Sequence, residues 1–331
     1  MAIELSNIIF TDQDDIVPSS GVEQILNTGV ANTLAGNDRI TGTGNDYGFK
    51  NVGTLNTDDG NDTITGTATS SGAGIIISFG STLDTGKGGD RISGTGNGNN
   101  GFVNGGTFNA NDGNDEISGV GIANGFINEG TGTFDTSDGN DRILGAGNDN
   151  GFINRGVFNT DDGDDTISGL SIGLGIITEY GSILDTGNGN DIITGSGSVG
   201  IRNGGTINTG NDEDSITSWG KFTNRGEVFL GDGNDSIIAR LSFSGLNGIE
   251  NFNFIGTGDG DDIITSSDVI YNNRGSIDTG NGNDSIIANE GFESAPNSSG
   301  AWFLGEGEDY IKGFGSGDFY GGNGKCDSFA A

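Results

Sequence analysis

Residues 185–195 read DTGNGNDIITG, and this short stretch contains the pattern that repeats down the whole chain. Its aspartate, Asp191, is followed two residues later by an isoleucine, Ile193. The same pair recurs twelve times between Asp38 and Ile311, at an average interval of about 25 residues. A repeat of this length is typical of solenoid proteins, in which each copy of the repeat forms one coil.

Alignment of the copies on the aspartate reveals further columns of similar residues. Glycine stands two residues before the aspartate in eleven of the twelve copies. A large apolar residue stands seven residues before it at Leu55, Leu83, Phe108, Phe134, Phe158, Leu184, Ile207, Val228, Ile255, Ile277 and Trp302. Another apolar column lies about thirteen residues before it, at Phe49, Phe102, Phe152, Ile201, Phe222, Ile249 and Tyr271. An asparagine column lies eleven residues before it, at Asn51, Asn104, Asn154, Asn203, Asn224, Asn251 and Asn273, and we expect these side chains to hydrogen-bond from coil to coil.

Each repeat therefore holds three short apolar-centred segments separated by glycine, asparagine and aspartate. Such segments predict β-strands, because their centres are β-branched or aromatic and they are too short for a helix. Three strands per repeat predict one coil of a solenoid, with neighbouring coils about 4.8 Å apart. The predicted fold class is all-β, a parallel β-solenoid (β-helix or β-roll) of about twelve three-stranded coils with short caps. We place an N-terminal cap at residues 1–30, the repeats at 31–314 and a C-terminal tail at 315–331.

The composition excludes several classes of function. The 331 residues include 67 glycines and no histidine, so chemistry that depends on histidine as a base or metal ligand is excluded. Acidic residues outnumber basic ones by 47 to 13, a net charge of −34, which argues against a nucleic-acid partner. The single cysteine, Cys326, forms no disulfide within the chain. No apolar run of about 18 residues occurs, so we expect no membrane span, and the first residues lack the features of a cleaved secretory signal.

The turn before each repeat aspartate concentrates acidic residues, as in GDGND at residues 231–235. Stacking places the repeat aspartates less than about 5 Å apart, where two carboxylates repel by about 1 kcal/mol even in water. A cation removes this conflict, and carboxylates combined with turn carbonyls favour Ca²⁺ over Mg²⁺. We therefore predict calcium ligands at Asp62, Asp90, Asp115, Asp141, Asp165, Asp191, Asp214, Asp235, Asp262, Asp284 and Asp309. The alternative is plain turn chemistry, since aspartate and glycine favour tight turns without a metal.

The glycine-aspartate turns resemble a known family. Residues 185–193 (DTGNGNDII) and 280–286 (GNGNDSI) are similar to the nonapeptide of the RTX, or haemolysin-type, calcium-binding proteins. The resemblance covers residues 36–327 with about one copy per coil, whereas RTX nonapeptides usually follow one another directly. We therefore expect ions along one edge of the solenoid. At the position four residues before the aspartate, several early copies lack glycine, and in the RTX-like tail Cys326 replaces the aspartate.

The resemblance implies a protein that binds Ca²⁺, folds with it and leaves a bacterial cell by type I export. The expected location is extracellular or at the cell surface, with calcium ions as partners and a cell-surface polysaccharide as a further candidate. An outward Ser/Thr column offers an alternative, a face that binds carbohydrate or ice, at Thr41, Thr65, Ser93, Ser118, Ser168, Thr194, Thr217 and Thr265. A second alternative is a polysaccharide lyase or hydrolase of the β-helix type. No acid, base and nucleophile together interrupt the repeat, so the sequence favours a protein that is not an enzyme.

Overall fold

The computed structural model describes residues 2–18, 23–241, 247–294, 300–315, 318–321 and 328–330. The chain is an all-β parallel solenoid of about twelve coils, as the repeat predicts, and the described part also contains one 3-10 helix, Leu5–Asn7. Two compact units divide the chain, Met1–Gly173 and Leu174–Ala331. Within each unit, the strands form three parallel ladders. The described part contains no helix long and apolar enough to cross a membrane.

The first ladder, called the Ile ladder, contains the strands that carry the repeat isoleucine and the strands paired with them at the ends. In the first unit its strands are Ile16–Val17, Arg39–Gly44, Thr63–Ala68, Arg91–Gly96, Glu116–Gly121, Arg142–Ala146 and Thr166–Leu170. In the second unit they are the first halves of Ile192–Asn203 and Ser215–Asn224, then Ser236–Arg240, Ile263–Ser266, Ser285–Ala288, Tyr310–Lys312 and Ser328–Ala330. The isoleucines stack in register and are buried, as Ile64, Ile92 and Ile117 show.

The second ladder, called the Asn ladder, contains the strands that lead to the asparagine column. In the first unit its strands are Ala2–Glu4, Gln24–Asn27, Tyr47–Asn51, Ala73–Ile77, Phe102–Asn104, Asn124–Asn128 and Asn150–Asn154. In the second unit they are Leu174–Thr178, the second halves of Ile192–Asn203 and Ser215–Asn224, then Asn247–Asn251, Val269–Asn272 and Phe292–Glu293. The predicted hydrogen bonds between stacked asparagines are confirmed, for example from Asn104 Nδ2 to Asn128 Oδ1 at 2.9 Å.

The third ladder, called the short-strand ladder, consists mostly of three-residue strands centred on the apolar residue seven positions before the aspartate. In the first unit its strands are Val30–Asn32, Thr54–Asn56, Thr82–Asp84, Thr107–Asn109, Thr133–Asp135 and Val157–Asn159. In the second unit they are Ile183–Asp185, Thr206–Asn208, Glu227–Phe229, Phe254–Gly256, Ser276–Asp278, Ala301–Phe303 and Asp318–Tyr320. The middle residue of each described strand up to Ala301–Phe303 points into the core.

Phenylalanine fills the core of the first unit. Phe102 and Phe126, from the Asn ladder, stack with ring centroids 4.8 Å apart. Phe108 and Phe134, from the short-strand ladder, stack at 4.3 Å. The two stacks meet edge to face, with Phe126 and Phe134 at 5.2 Å and 85°, a favourable aromatic geometry. The predicted apolar columns therefore meet inside the coil.

Two predicted columns, the apolar and the asparagine column, are wrong by one residue near position 270. The sequence alignment assigned Tyr271 to the apolar column and Asn273 to the asparagine column. The structure buries Ile270 instead, and Asn272 accepts the hydrogen bond from Asn251 Nδ2 at 3.1 Å. The turn that follows Asn272 is one residue longer than in the commonest copies, so counting back from Asp284 misplaces both columns.

Strand pairing extends across both boundaries that the sequence suggested. Gln24–Asn27 and Val30–Asn32 already pair with strands of the next coil, because Asn27 and Ala31 occupy the asparagine and apolar columns. Towards the C-terminus, Asp318–Tyr320 and Ser328–Ala330 still pair in parallel with strands of the coil before them. Cys326 and the neighbouring RTX-like residues 322–327 lie outside the described residues.

Candidate metal site at the aspartate ladder

Each acidic turn contains a residue with left-handed backbone, four positions before the repeat aspartate. Asp58, Asn111 and Ser137 hold φ angles of 55°, 60° and 57° there, where later turns have glycine. In these turns a side chain two residues earlier supports the conformation. Asn56 Oδ1 accepts the Asp58 N–H at 2.9 Å, and Asn109 Oδ1 accepts the Asn111 N–H at 3.0 Å. The early turns thus keep the same shape without glycine.

The glycine two positions before the aspartate is required by the stacking of the turns. A Cβ on Gly139 would lie 1.5 Å from the Gly113 carbonyl oxygen, and a Cβ on Gly163 would lie 1.8 Å from that of Gly139. In the second unit, a Cβ on Gly260 would lie 1.5 Å from the Gly233 oxygen. Turn backbones therefore lie directly on one another, with backbone carbonyls close to the next turn.

The eleven predicted calcium ligands are all buried, and each unit arranges them in one row, called the aspartate ladder. The backbone N–H of one aspartate donates to Oδ1 of the aspartate in the next coil. In the first unit, Asp62 donates to Asp90 at 2.7 Å and Asp90 to Asp115 at 2.7 Å. In the second unit, the same bond joins Asp214 to Asp235 at 2.8 Å. The rows comprise Asp38, Asp62, Asp90, Asp115, Asp141 and Asp165 in the first unit and Asp191, Asp214, Asp235, Asp262, Asp284 and Asp309 in the second.

The second carboxylate oxygen, Oδ2, is buried without a hydrogen-bond partner in most of these aspartates. This applies to Asp38, Asp62, Asp90, Asp115, Asp141, Asp214, Asp235 and Asp284. The Thr57 hydroxyl lies beside Asp62, but it donates to the Thr85 carbonyl at 2.9 Å, and one hydroxyl has only one proton. At Asp115 the corresponding position is Ala110, which has no hydroxyl. At Asp62 and Asp115, Oδ2 is therefore open to a proton or a cation.

Burial raises the pKa of several ladder aspartates well above its ordinary value. The pKa rises to about 6 for Asp62, about 7 for Asp90 and about 8 for Asp115, because burial penalises the charged form. Repulsion from neighbouring carboxylates adds to the effect at Asp115. In the second unit, burial likewise raises the pKa of Asp214 to about 8. At neutral pH, bare negative charge in this row is therefore unfavourable.

The oxygen atoms near the aspartate ladder fit a hard cation, although they do not form a ready cluster of carboxylates. Among the described residues, no group of three or more Asp, Glu, Cys or His side chains converges on one point. An ion would therefore take one carboxylate from each coil and complete its shell with turn carbonyls and threonine hydroxyls. Such all-oxygen, flexible coordination suits Ca²⁺ better than Mg²⁺.

Outside the buried row, each turn carries exposed polar residues that hydrogen-bond to the adjacent turn. The Asn61 N–H donates to Asn37 Oδ1 at 2.9 Å, and the Asn140 N–H donates to Asn114 Oδ1 at 2.8 Å. Most of the acidic side chains at these exposed positions are solvated, so their charge is screened. These exposed acidic residues contribute to the net charge of the protein but are not part of the buried aspartate ladder.

The outward face of the short-strand ladder in the first unit, called the Thr-Asx face, was not predicted from sequence. Threonines of successive coils align in register, and so do the asparagines and aspartates two residues later. The threonines are Thr54, Thr82, Thr107 and Thr133, and the second column is Asn56, Asp84, Asn109, Asp135 and Asn159. The recurrence of threonine two residues before Asx was a signal that could have revealed this face.

The Ser/Thr column that the sequence did single out lies on the outward side of the Ile ladder and is half-buried. In three coils a charged residue stands two positions before it, at Arg39, Arg91 and Glu116. Arg91 and Glu116 form an ion pair there, and Arg142 is exposed in the next coil. Where these charged side chains occur, the composition of this surface is less regular than that of the Thr-Asx face.

No protein-family model matches the chain, and no curated protein matches it at a significant level. Among solved structures, the chain is similar to a hyperactive, Ca²⁺-dependent, β-helical antifreeze protein from an Antarctic bacterium. The two share 21% sequence identity with a TM-score of 0.51, and the match covers 98% of this chain and 81% of the other. This likeness confirms the parallel β-solenoid fold.

Proposed function

We propose that this chain binds calcium through the aspartate ladder and that bound calcium stabilises the solenoid. The observation that carries the proposal is the row of buried aspartates whose Oδ2 atoms have no hydrogen-bond partner. A buried carboxylate without a partner is costly, so each needs a proton or a cation. The calcium dependence named for the structurally similar antifreeze protein agrees with this choice.

The biological setting we propose is extracellular or at the surface of a bacterial cell. Calcium is abundant outside cells, so a polyanionic chain with a net charge of −34 would fold there as its ladder fills. In this setting the protein has a structural or surface-associated role rather than a catalytic one. The RTX-like turns are consistent with such a protein.

The test is a far-UV circular dichroism titration of chelated protein with calcium, and with magnesium as the control. We expect strand signal and melting temperature to rise with calcium, at more than one equivalent per chain, and to respond weakly to magnesium. A chelated protein that is fully folded at pH 8 and unchanged by calcium would show that the turns need no ion.

Ice binding is a second candidate, favoured by the Thr-Asx face. Its two columns form an array of hydroxyl and amide or carboxylate groups in register, spaced about 4.8 Å from coil to coil. The similar structure is an antifreeze protein. Thermal hysteresis of the calcium-loaded protein tests this function.

We expect Thr107→Tyr, in the centre of the Thr-Asx face, to remove most of the thermal hysteresis, because the larger ring interrupts the array of stacked threonines. Thr65→Tyr, on the outward side of the Ile ladder, is the matched control and should have little effect. Equal loss in both variants would assign the activity to another surface, and no hysteresis in the parent protein would exclude ice binding.

A further inference from the structure

The short-strand ladder of the second unit interrupts its own pattern. Its outward positions are Thr206 and Asn208 in one coil, as in most coils of the first unit. In the next two coils they become Glu227 with Phe229, and then Phe254 with Gly256. The following coil returns to small and acidic residues, at Ser276 and Asp278. Aromatic residues return to the same column at Phe303 and Tyr320.

The two phenylalanines of this break line an open groove of ≈ 340 Å³, called the Phe groove. The ring centroids of Phe229 and Phe254 lie 5.3 Å apart, with the ring planes at 41°. Gly256 leaves room for this arrangement, because a Cβ there would lie 2.7 Å from the Phe254 ring and would displace it. The rest of the lining consists of Gly231, Asp232, Gly258, Asp259, Asp278 and Gly280.

The Phe groove combines aromatic surface with negative charge. Asp232 and Asp259 are exposed, and Asp278 is half-buried, with Oδ1 accepting the Gly280 N–H at 3.2 Å. None of the described lining residues is cationic. Carboxylates only accept hydrogen bonds, so the matching ligand must donate them. The volume of the Phe groove is at the small end of the range of ligand pockets.

We propose that the Phe groove binds an amino sugar in its protonated form, as one unit of a cationic glycan. The apolar face of the sugar ring packs on Phe229 and Phe254, and its ammonium and hydroxyl groups donate to Asp232, Asp259 and Asp278. A cation near aromatic rings gains further electrostatic attraction. The net charge of −34 repels anionic glycans and attracts cationic ones. This inference does not depend on calcium binding by the aspartate ladder.

Isothermal titration calorimetry with a glucosamine tetramer tests the proposal, with constant excess calcium. The N-acetylglucosamine tetramer is the uncharged control ligand. We expect the glucosamine tetramer to bind at least about tenfold more tightly, since acetylation removes the positive charge. Equal affinity for the two ligands, or no binding of either at millimolar concentration, would overturn the proposal.

Two variants separate the Phe groove from general attraction to an acidic surface. The double variant Phe229→Asn with Phe254→Thr introduces the residue types that Asn208 and Thr206 provide at these two columns in the coil before the Phe groove. We expect it to lose affinity by about tenfold or more. Gly256→Ala keeps every charge but displaces the Phe254 ring, so it should also weaken binding. Phe303→Asn removes an exposed aromatic residue outside the groove and is the control.

Circular dichroism with calcium establishes that each variant keeps the solenoid fold. If the groove variants fold but bind the glucosamine tetramer as tightly as the parent protein, the binding is adsorption to the acidic surface and the proposal is wrong. Selective loss in the groove variants, with Phe303→Asn unchanged, supports it.

Discussion

The two carboxylate oxygens of Asp115 have different surroundings within the aspartate ladder. Its Oδ1 accepts the Asp90 N–H, while its Oδ2 is buried and has no hydrogen-bond partner. The threonine that lies beside the aspartate in many other coils is replaced by Ala110. Burial raises the pKa of Asp115 to about 8. We therefore expect its carboxylate to destabilise the fold without a cation and to stabilise it when a cation is bound.

We expect Asp115→Asn to stabilise the chelated protein and to weaken calcium binding. Without calcium, the neutral amide avoids a buried charge, and the free energy of unfolding at pH 8 should rise by about 1–3 kcal/mol. With calcium, the melting temperature should fall below that of the parent protein. Thermal melts in chelator and in calcium provide the measurement.

Asp112→Asn is the matched control, because Asp112 belongs to the same turn but is exposed and pairs only with Lys87 at the surface. Such a pair contributes little to stability, so this variant should behave like the parent protein in both conditions. A similar response of the two variants would mean that general charge reduction, rather than the ladder, controls stability.

At the scale of the element, the Asn ladder contributes order along runs of stacked amides, which Ile77 interrupts between Asn51 and Asn104. Asn128 Nδ2 donates to Asn154 Oδ1 at 2.9 Å and to the Val157 carbonyl at 2.9 Å, while Asn128 Oδ1 accepts from Asn104. Each amide thereby joins two strands of its own ladder and one of the short-strand ladder. A break at one position leaves buried polar groups on both sides.

We expect Asn128→Ala to lower the free energy of unfolding of the calcium-loaded protein by about 2–4 kcal/mol, because several buried groups lose partners. Asn128→Thr should recover part of that loss, since Thr178 occupies the same column and its hydroxyl donates to Asn203 Oδ1. Urea denaturation measures both. An alanine variant as stable as the parent would mean that water replaces the lost bonds.

The elements also show what the sequence could and could not predict. Strand positions followed from the constant spacing between aspartate and isoleucine, such as Asp191 and Ile193. Counting failed at Tyr271, where the length of one turn changes, because a period carries no information on where an extra residue is inserted. The direction of the Asp115 carboxylate oxygens was also out of reach, since it depends on a backbone N–H from the neighbouring coil.

At the scale of the whole molecule, the aspartate ladder links stability to pH. The raised pKa values mean that the native state binds protons more tightly than the unfolded chain, whose aspartates titrate near about 3.9. This contribution to stability is fully present below that value. It is lost as pH rises through the folded values, which span about 6 for Asp62 to about 8 for Asp115.

We therefore expect the melting temperature of the chelated protein to fall as pH rises from about 5 to about 8.5. With excess calcium the dependence should flatten, because the ion replaces the protons. Melting curves across this range, with and without chelator, measure the effect. A melting temperature of the chelated protein that rises with pH would show that the ladder carboxylates are charged in the native state without calcium.

The stacked phenylalanines affect which strands of the chain can pair with each other during folding. A repeat offers every strand several near-identical places to dock, so a slip by one coil would still match isoleucine with isoleucine. In the first unit, however, Phe108 follows Leu83, and Phe102 follows Ile75. A slipped strand would set a ring where the core has room for an aliphatic chain, at a cost of about 1–3 kcal/mol for overpacking. The stacked phenylalanines therefore favour the correct pairing of coils over a pairing that is shifted by one coil.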